Sequence, residues 1–113
     1  MNYCIDDVDG VKILRLREKR LDANISPALK SQLLLLVERG TSLLIDLSEV
    51  QYADSSGLGA LLLGLRQTRD LNGQFGLIGA GKRVRSLIRI AQLEGVMLYF
   101  ENEQQALDKI VEK

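Results

Sequence analysis

Residues 42–47 read Ser-Leu-Leu-Ile-Asp-Leu, and stretches of helical periodicity stand on either side of them. A strand that is apolar on both faces has to be covered on both faces, which is the situation of a strand inside a parallel sheet. The flanking amphipathic helices are the elements that supply the cover. This single run directs the chain toward a layered α/β architecture.

The remaining segments agree with that frame. Residues 3–8 and 11–17 flank Asp9-Gly10, and the second stretch roughly alternates Val11, Ile13 and Leu14/Leu16 with Lys12, Arg15 and Arg17, which predicts a tight hairpin. Ser26-Pro27 opens a helix, with Ser26 as N-cap, Pro27 at the first helical position and Gly40 closing it; Leu29, Leu33, Leu36 and Val37 share one face. A second helix begins around Ser55-Ser56, carries the stripe Leu58, Leu61, Leu62 and Leu65, and ends at Asn72-Gly73. Residues 75–78 form the next strand. A third helix places Val84, Leu87, Ile88 and Ala91 between Lys82, Arg83, Arg85 and Arg89. Residues 96–100 return to strand character, and Asn102 caps a last helix through Ala106, Leu107, Ile110 and Val111. The order β-β-α-β-α-β-α-β-α predicts an α/β fold: a single-layer mixed sheet, mostly parallel with an antiparallel N-terminal edge, packed with about four α-helices.

Composition narrows the functional classes. The 113 residues suit a single domain spanning 1–113, and 46% hydrophobic content is enough for a packed core. Fifteen basic residues balance fifteen acidic ones, which removes the broad attraction that nucleic-acid binding requires. No histidine is present, so the imidazole-dependent nucleophiles and most zinc sites are closed; neither a catalytic residue, a metal nor a cofactor is expected. Cys4 is the single cysteine, which excludes an internal disulfide, points to a reducing compartment and reads as a small core or edge residue. Residues 1–10 lack the basic and apolar regions of an export signal, and the longest apolar runs, 33–37 and 60–63, are far too short to insert in a membrane. A cytoplasmic protein is expected, and a monomer, because no extra apolar face is left over.

The segment Asp54-Ser55-Ser56-Gly57-Leu58-Gly59 lies where a strand hands over to a helix, the place at which α/β folds meet their ligands and partners. A serine there exposes its hydroxyl beside unpaired backbone N–H groups, which favour the charge of a phosphate by roughly 0.3–1 kcal/mol. Phosphorylation would add about −1.5 to −2 units of charge next to Asp54 and repel a partner docked on the neutral form. Gly57 and Gly59 leave the helix start poorly shielded, which suits close approach by another protein's backbone. The plainer reading is an ordinary N-cap with glycines for tight packing.

Here the sequence resembles the STAS family, specifically the bacterial anti-sigma-factor antagonists, over essentially the whole chain. Asp-Ser-Ser-Gly-Leu-Gly is the most specific part; Arg20-Leu21-Asp22 looks like the family's Leu-Asp element, Leu44-Ile45-Asp46-Leu47 like its central strand, and Val84-Arg85-Ser86-Leu87 with Leu93-Glu94-Gly95-Val96 like its third-helix region. Many members carry an acidic residue where this chain has Arg20. The resemblance implies a STAS-like fold and a non-enzymatic role. It implies Ser55 as phosphoacceptor, with Asp54, Ser56, Gly57 and Gly59 supporting it. The partners it implies are an anti-sigma factor with serine kinase activity, which the unphosphorylated form binds so as to release a sigma factor, and a metal-dependent serine phosphatase. The alternative is a STAS docking subunit of another complex, such as a transporter or a non-sigma signalling assembly, without phosphoswitching.

Further residues are candidates for partner binding. Tyr52 and Leu58 flank the switch and form the apolar centre of a docking patch or else belong to the core, the reading that suits Leu58 better. Asp22 is a partner contact or part of a turn. Residues 76–83 nearly spell a phosphate-binding loop, but Arg83 stands where a Ser or Thr belongs and Gly76 falls in a predicted strand. Gly79 and Gly81 therefore read as a strand-to-helix turn or an anion and partner contact, and Lys82 and Arg83 as part of a solvated basic face or of that contact.

Overall fold

In the computed structural model, which describes residues 1–111, the chain begins with the hairpin that its alternation predicts. Strands β1 (Tyr3–Val8) and β2 (Val11–Leu16) pair antiparallel from Val8↔Val11 to Tyr3↔Leu16. Asp9 at φ 54° and Gly10 at φ 81° make the turn, the double positive φ that matches the twist of a two-residue hairpin. After β2 come β3 (Arg20–Leu21), α1 (Ser26–Leu36), β4 (Leu43–Asp46), β5 (Tyr52–Ala53), α2 (Ser55–Asp70), β6 (Phe75–Ile78), α3 (Lys82–Ile90), β7 (Leu98–Phe100) and α4 (Glu103–Val111).

The main sheet has five strands in the order β1-β2-β4-β6-β7, with every pair after the first parallel. This is the predicted mixed sheet with an antiparallel edge and four helices. Strand alternation sorts the core into two layers. On one face Val11, Ile13, Leu44 and Ile78 meet Ala106, Leu107 and Ile110 of α4. On the other, Leu14, Leu16, Leu43, Ile45 and Leu77 meet Leu29, Leu33, Leu61, Leu65, Val84 and Ile88 from α1, α2 and α3. Leu44 and Ile45 are both fully buried, which explains why that run of sequence is apolar on both sides.

Four local expectations are corrected. Ile25, not Ser26, holds the N-cap position of α1; Ser26 is the first helical residue and Pro27 the second. The reason is Asp22, whose carbonyl accepts the N–H groups of Ile25 and Ser26 and the Ser26 hydroxyl, at 3.1, 2.9 and 2.9 Å, so the turn closes before the serine is reached. Helix α1 ends at Leu36, with Val37 already extended, and Gly40 sits in the following turn at φ 78°. Strand β7 starts at Leu98 because Val96 and Met97 both donate backbone hydrogen bonds to the Leu93 carbonyl and stay in a turn. The fourth concerns β3 and β5, which are absent from the predicted element order and pair in parallel as a separate two-stranded sheet, Arg20↔Tyr52 and Leu21↔Ala53. At the other end of the chain Asn102 caps α4 as expected, its Oδ1 accepting the Gln105 N–H at 2.9 Å. Among the described residues no helix is long and apolar enough to cross a membrane.

Candidate functional site

Because β2, β4 and β6 run in the same direction, their C-terminal ends reach one pole of the sheet, and the connections leaving them assemble a single face. The chain leaving β2 supplies β3, the chain leaving β4 supplies β5 and the start of α2, and the chain leaving β6 supplies the start of α3.

At the centre of that face Asp54 caps α2. Its backbone is extended, at φ −118° and ψ −174°, and its Oδ1 accepts the Gly57 N–H at 3.0 Å. Ser55 is the first helical residue and is exposed; Ser56 follows, half-buried. An acceptor serine has to be reachable from solvent, and Ser55 is an exposed residue. Asp54 is also tied to β3, since its N–H donates to the Leu21 carbonyl at 3.2 Å.

The two glycines of the segment differ. A Cβ on Gly57 would fall 2.2 Å from the Leu21 carbonyl oxygen and 2.7 Å from its Cγ, so the close approach at Gly57 is made by this chain's own β3 and Gly57 is buried. This corrects the view of Gly57 as an unshielded opening for a partner. Gly59 is different: nothing lies within 4 Å of a Cβ built there. Leu58 is 9% exposed and packs in the core beside Leu61 and Leu65, which takes it out of the exposed face around Ser55.

Tyr52 is half-buried and carries two cations. The Arg20 guanidinium lies 4.3 Å from its ring centroid and that of Arg83 5.3 Å. Arg20 reaches the ring as its cross-strand neighbour, and Arg83 from the second residue of α3. Asp22 uses both carboxylate oxygens inside the chain: Oδ1 accepts the Asn24 N–H at 3.1 Å and Oδ2 faces Arg20 Nε at 3.2 Å. A groove of about 400 Å³ opens between Arg17, Arg20, Asp22 and Ile25 on the same side.

The β6-to-α3 connection is a tight turn. Gly79 has φ 67°, its N–H donates to the Phe100 carbonyl at 2.9 Å, and a Cβ would meet that of Ser48 at 3.0 Å. Gly81 is the N-cap of α3 with no side-chain cap, and Gly81, Lys82 and Arg83 are exposed. Gly76 lies within β6, as the sequence indicates, so the near-match to a phosphate-binding loop falls partly on a strand. Sequence reasoning singled out Arg20 only as a departure from a family pattern and missed the stack on Tyr52. The signal available was the pairing of two short segments in which Arg20 and Tyr52 stay outside while Leu21 turns into the core.

Fold and face together define a small α/β module whose strand-to-helix connections converge on one face around an exposed serine. The chain belongs to the STAS family: its sequence matches the STAS domain over residues 4–106. It is 33% identical over 102 residues to an anti-sigma-B factor antagonist of Listeria monocytogenes, covering 86% of this chain and 88% of that one. The crystal structure of an anti-sigma factor antagonist from Mycobacterium paratuberculosis superposes with a TM-score of 0.85 at 25% identity, covering 97% of this chain and 93% of that one. The Bacillus cell fate determinant SpoIIAA in its phosphorylated form has the same fold, with a TM-score of 0.73 at 18% identity and coverage of 96% and 99%.

Proposed function

We propose that the chain is an anti-sigma-factor antagonist that works as a serine phosphoswitch in the cytoplasm and catalyses nothing itself. The unphosphorylated protein binds an anti-sigma factor that is also a serine kinase, and this releases a sigma factor. Phosphate on Ser55 blocks the binding, and a metal-dependent phosphatase restores it. The observation that carries this reading is the exposed Ser55 at the first position of a 16-residue helix, beside the capping carboxylate of Asp54.

Physical chemistry supports the position. The first-turn N–H groups of α2 have no partner within the helix, and the helix dipole favours negative charge there. A phosphate on Ser55 therefore meets a favourable terminus without any change of fold, while its charge of about −1.5 to −2 beside Asp54 alters the surface that a partner reads. The 33% identity to the Listeria antagonist over most of both chains supports the choice of partner class.

The test is a mass-spectrometric phosphosite map of the protein from its native cells, together with captures using the unmodified protein, the phosphorylated protein and Ser55→Ala. The expected result is phosphate on Ser55 and a kinase-like partner held by the unmodified protein and by Ser55→Ala but not by the phosphorylated form. An unmodified Ser55 with the same partner in every capture would make the chain a docking subunit of another complex.

A further inference from the structure

Two cations converge on one ring beside the switch. Arg20 and Arg83 lie 4.3 and 5.3 Å from the centroid of Tyr52, arriving from β3 and from α3. Like charges brought together repel, and an aromatic face offsets this only in part. Such a pair is therefore arranged to meet an anion. Arg20 already faces one carboxylate, Asp22 Oδ2 at 3.2 Å, while the side chain of Arg20 remains 63% exposed. Arg83 makes no ion pair among the described residues and is exposed, as is the neighbouring Lys82.

Ser55 lies three positions beyond Tyr52. A fully extended chain covers at most ~3.6 Å per residue, so the two Cα atoms are within about 11 Å. The two guanidinium groups stand over the Tyr52 ring, and the exposed Ser55 follows β5 and the capping Asp54 on the same face, so a phosphate on Ser55 and the two cations share that face. The β3–β5 pairing and the Asp54 N–H bond to the Leu21 carbonyl hold the intervening chain in place.

We propose that Arg20 and Arg83 are the receiver for the phosphate on Ser55, Tyr52 holding their guanidinium groups in readiness for its oxygens. The proposal rests on the reading of Ser55 as the phosphoacceptor and adds the device that reads the modification within the same chain. Guanidinium forks bind phosphate oxygens two at a time, a geometry that an ammonium cannot reproduce. The phosphorylated face is then not merely more acidic. Its two arginines are withdrawn from any partner and Tyr52 loses its cationic cover, so a partner that docks on the cations is released even where simple repulsion is weak.

The experiment uses the full chain with phosphoserine installed at position 55 during translation, titrated by phosphorus NMR beside Arg20→Gln, Arg83→Gln and the double variant. The expected result is a second phosphate pKa about 0.5–1 unit lower in the parent than in the double variant, with the single variants between them. Asp22 and Asp54 raise that pKa and Lys82 lowers it in all four proteins, so the difference isolates the arginines. Amide spectra of the unphosphorylated proteins check that all four are folded. If the double variant fails to fold, the parent's arginine side-chain signals serve instead: the Nε–H signals of Arg20 and Arg83 shift on phosphorylation of Ser55, and that of Arg15, held by Asp6 and Glu103, does not. The same titration in parent and double variant, or parent Nε–H signals unmoved by the phosphate, would overturn the receiver. No kinase enters the experiment, so an unmodified Ser55 in cells removes the switch reading and leaves this result standing, while an unchanged titration removes the receiver alone.

Discussion

Gly57 and Gly59 stand one turn-fraction apart in the same helix and lack a side chain for opposite reasons. The position of Gly57 is filled by β3: a Cβ there meets the Leu21 carbonyl oxygen at 2.2 Å, and because that atom is backbone it cannot swing aside. Gly57→Ala is expected to destabilise the fold by about 3 kcal/mol, the upper range for overpacking, with α2 displaced from β3. Gly59 has open space where a Cβ would be, at a helical position where glycine carries an entropic cost. Gly59→Ala is expected to stabilise by ~0.5–1 kcal/mol. Urea unfolding of both variants checks the pair, and a loss of stability at Gly59 would mean that its surroundings are closed. In the sequence the two carry the same signature, since what distinguishes them is the location of Leu21, far upstream in the chain. That is why Ser55 and the Asp54 cap were legible as a local pattern while the packing role of Gly57 was not.

Between elements, Arg15 does the most tying. From β2 its Nε reaches Asp6 of β1 at 2.7 Å, and its Nη1 reaches Glu103 of α4 at 2.8 Å and Asp46 of β4 at 3.4 Å. These bonds, to Asp6 first and Glu103 next, hold the guanidinium in its charged form even more firmly than usual, against the opposing effect of burial. Asp46 in turn accepts both the N–H and the hydroxyl of Ser48, at the start of the connection that leads to β5 and Ser55. Arg15→Gln leaves three carboxylates facing one another on the α4 side of the sheet and is expected to destabilise by about 1–2 kcal/mol at neutral pH, between the values for exposed and buried pairs. Denaturant unfolding at low and high salt measures it, and no change in stability would reduce the cluster to a surface ornament. The strands and helices themselves were readable because burial on both faces makes β4 apolar from Leu43 to Ile45 and imposes period 3.6 on α2 and α3. The pair β3–β5 was not, because two residues each are too few to show a period and their pairing is decided by tertiary position. The start of α1 was misread for a related reason: Ser26 has the right chemistry for a cap, but the carbonyl of Asp22 takes the bonds first.

At the scale of the whole molecule, stability and the proposed function occupy different layers. Strands β4 and β6 are covered on both faces, paired on both edges, and carry side chains such as Leu44, Ile45 and Leu77 with no exposure at all. The proposed switch face stands on the outlying β3–β5 pair, secured by the Gln51 and Tyr52 N–H groups on the Lys19 carbonyl at 2.8 and 3.1 Å and by the Asp54 N–H on the Leu21 carbonyl at 3.2 Å. Opening those few bonds exposes one core side chain, Leu21, whereas opening β4 exposes the core on both of its faces. Hydrogen exchange in increasing denaturant is therefore expected to separate the two. Amides within β4 and β6 should exchange through global unfolding, with a slope equal to that of equilibrium denaturation. Those of Tyr52 and Asp54 should exchange through a local opening at least ~2 kcal/mol less costly and with a clearly smaller dependence on denaturant. Occupation of the face, by a partner or by phosphate on Ser55, should slow the second group and leave the first untouched, which lets a modification rewrite the docking surface without endangering the fold. Equal slopes and equal free energies in both groups would show instead that the switch face and the core open as one unit, and that any signal written at Ser55 is felt by the whole sheet.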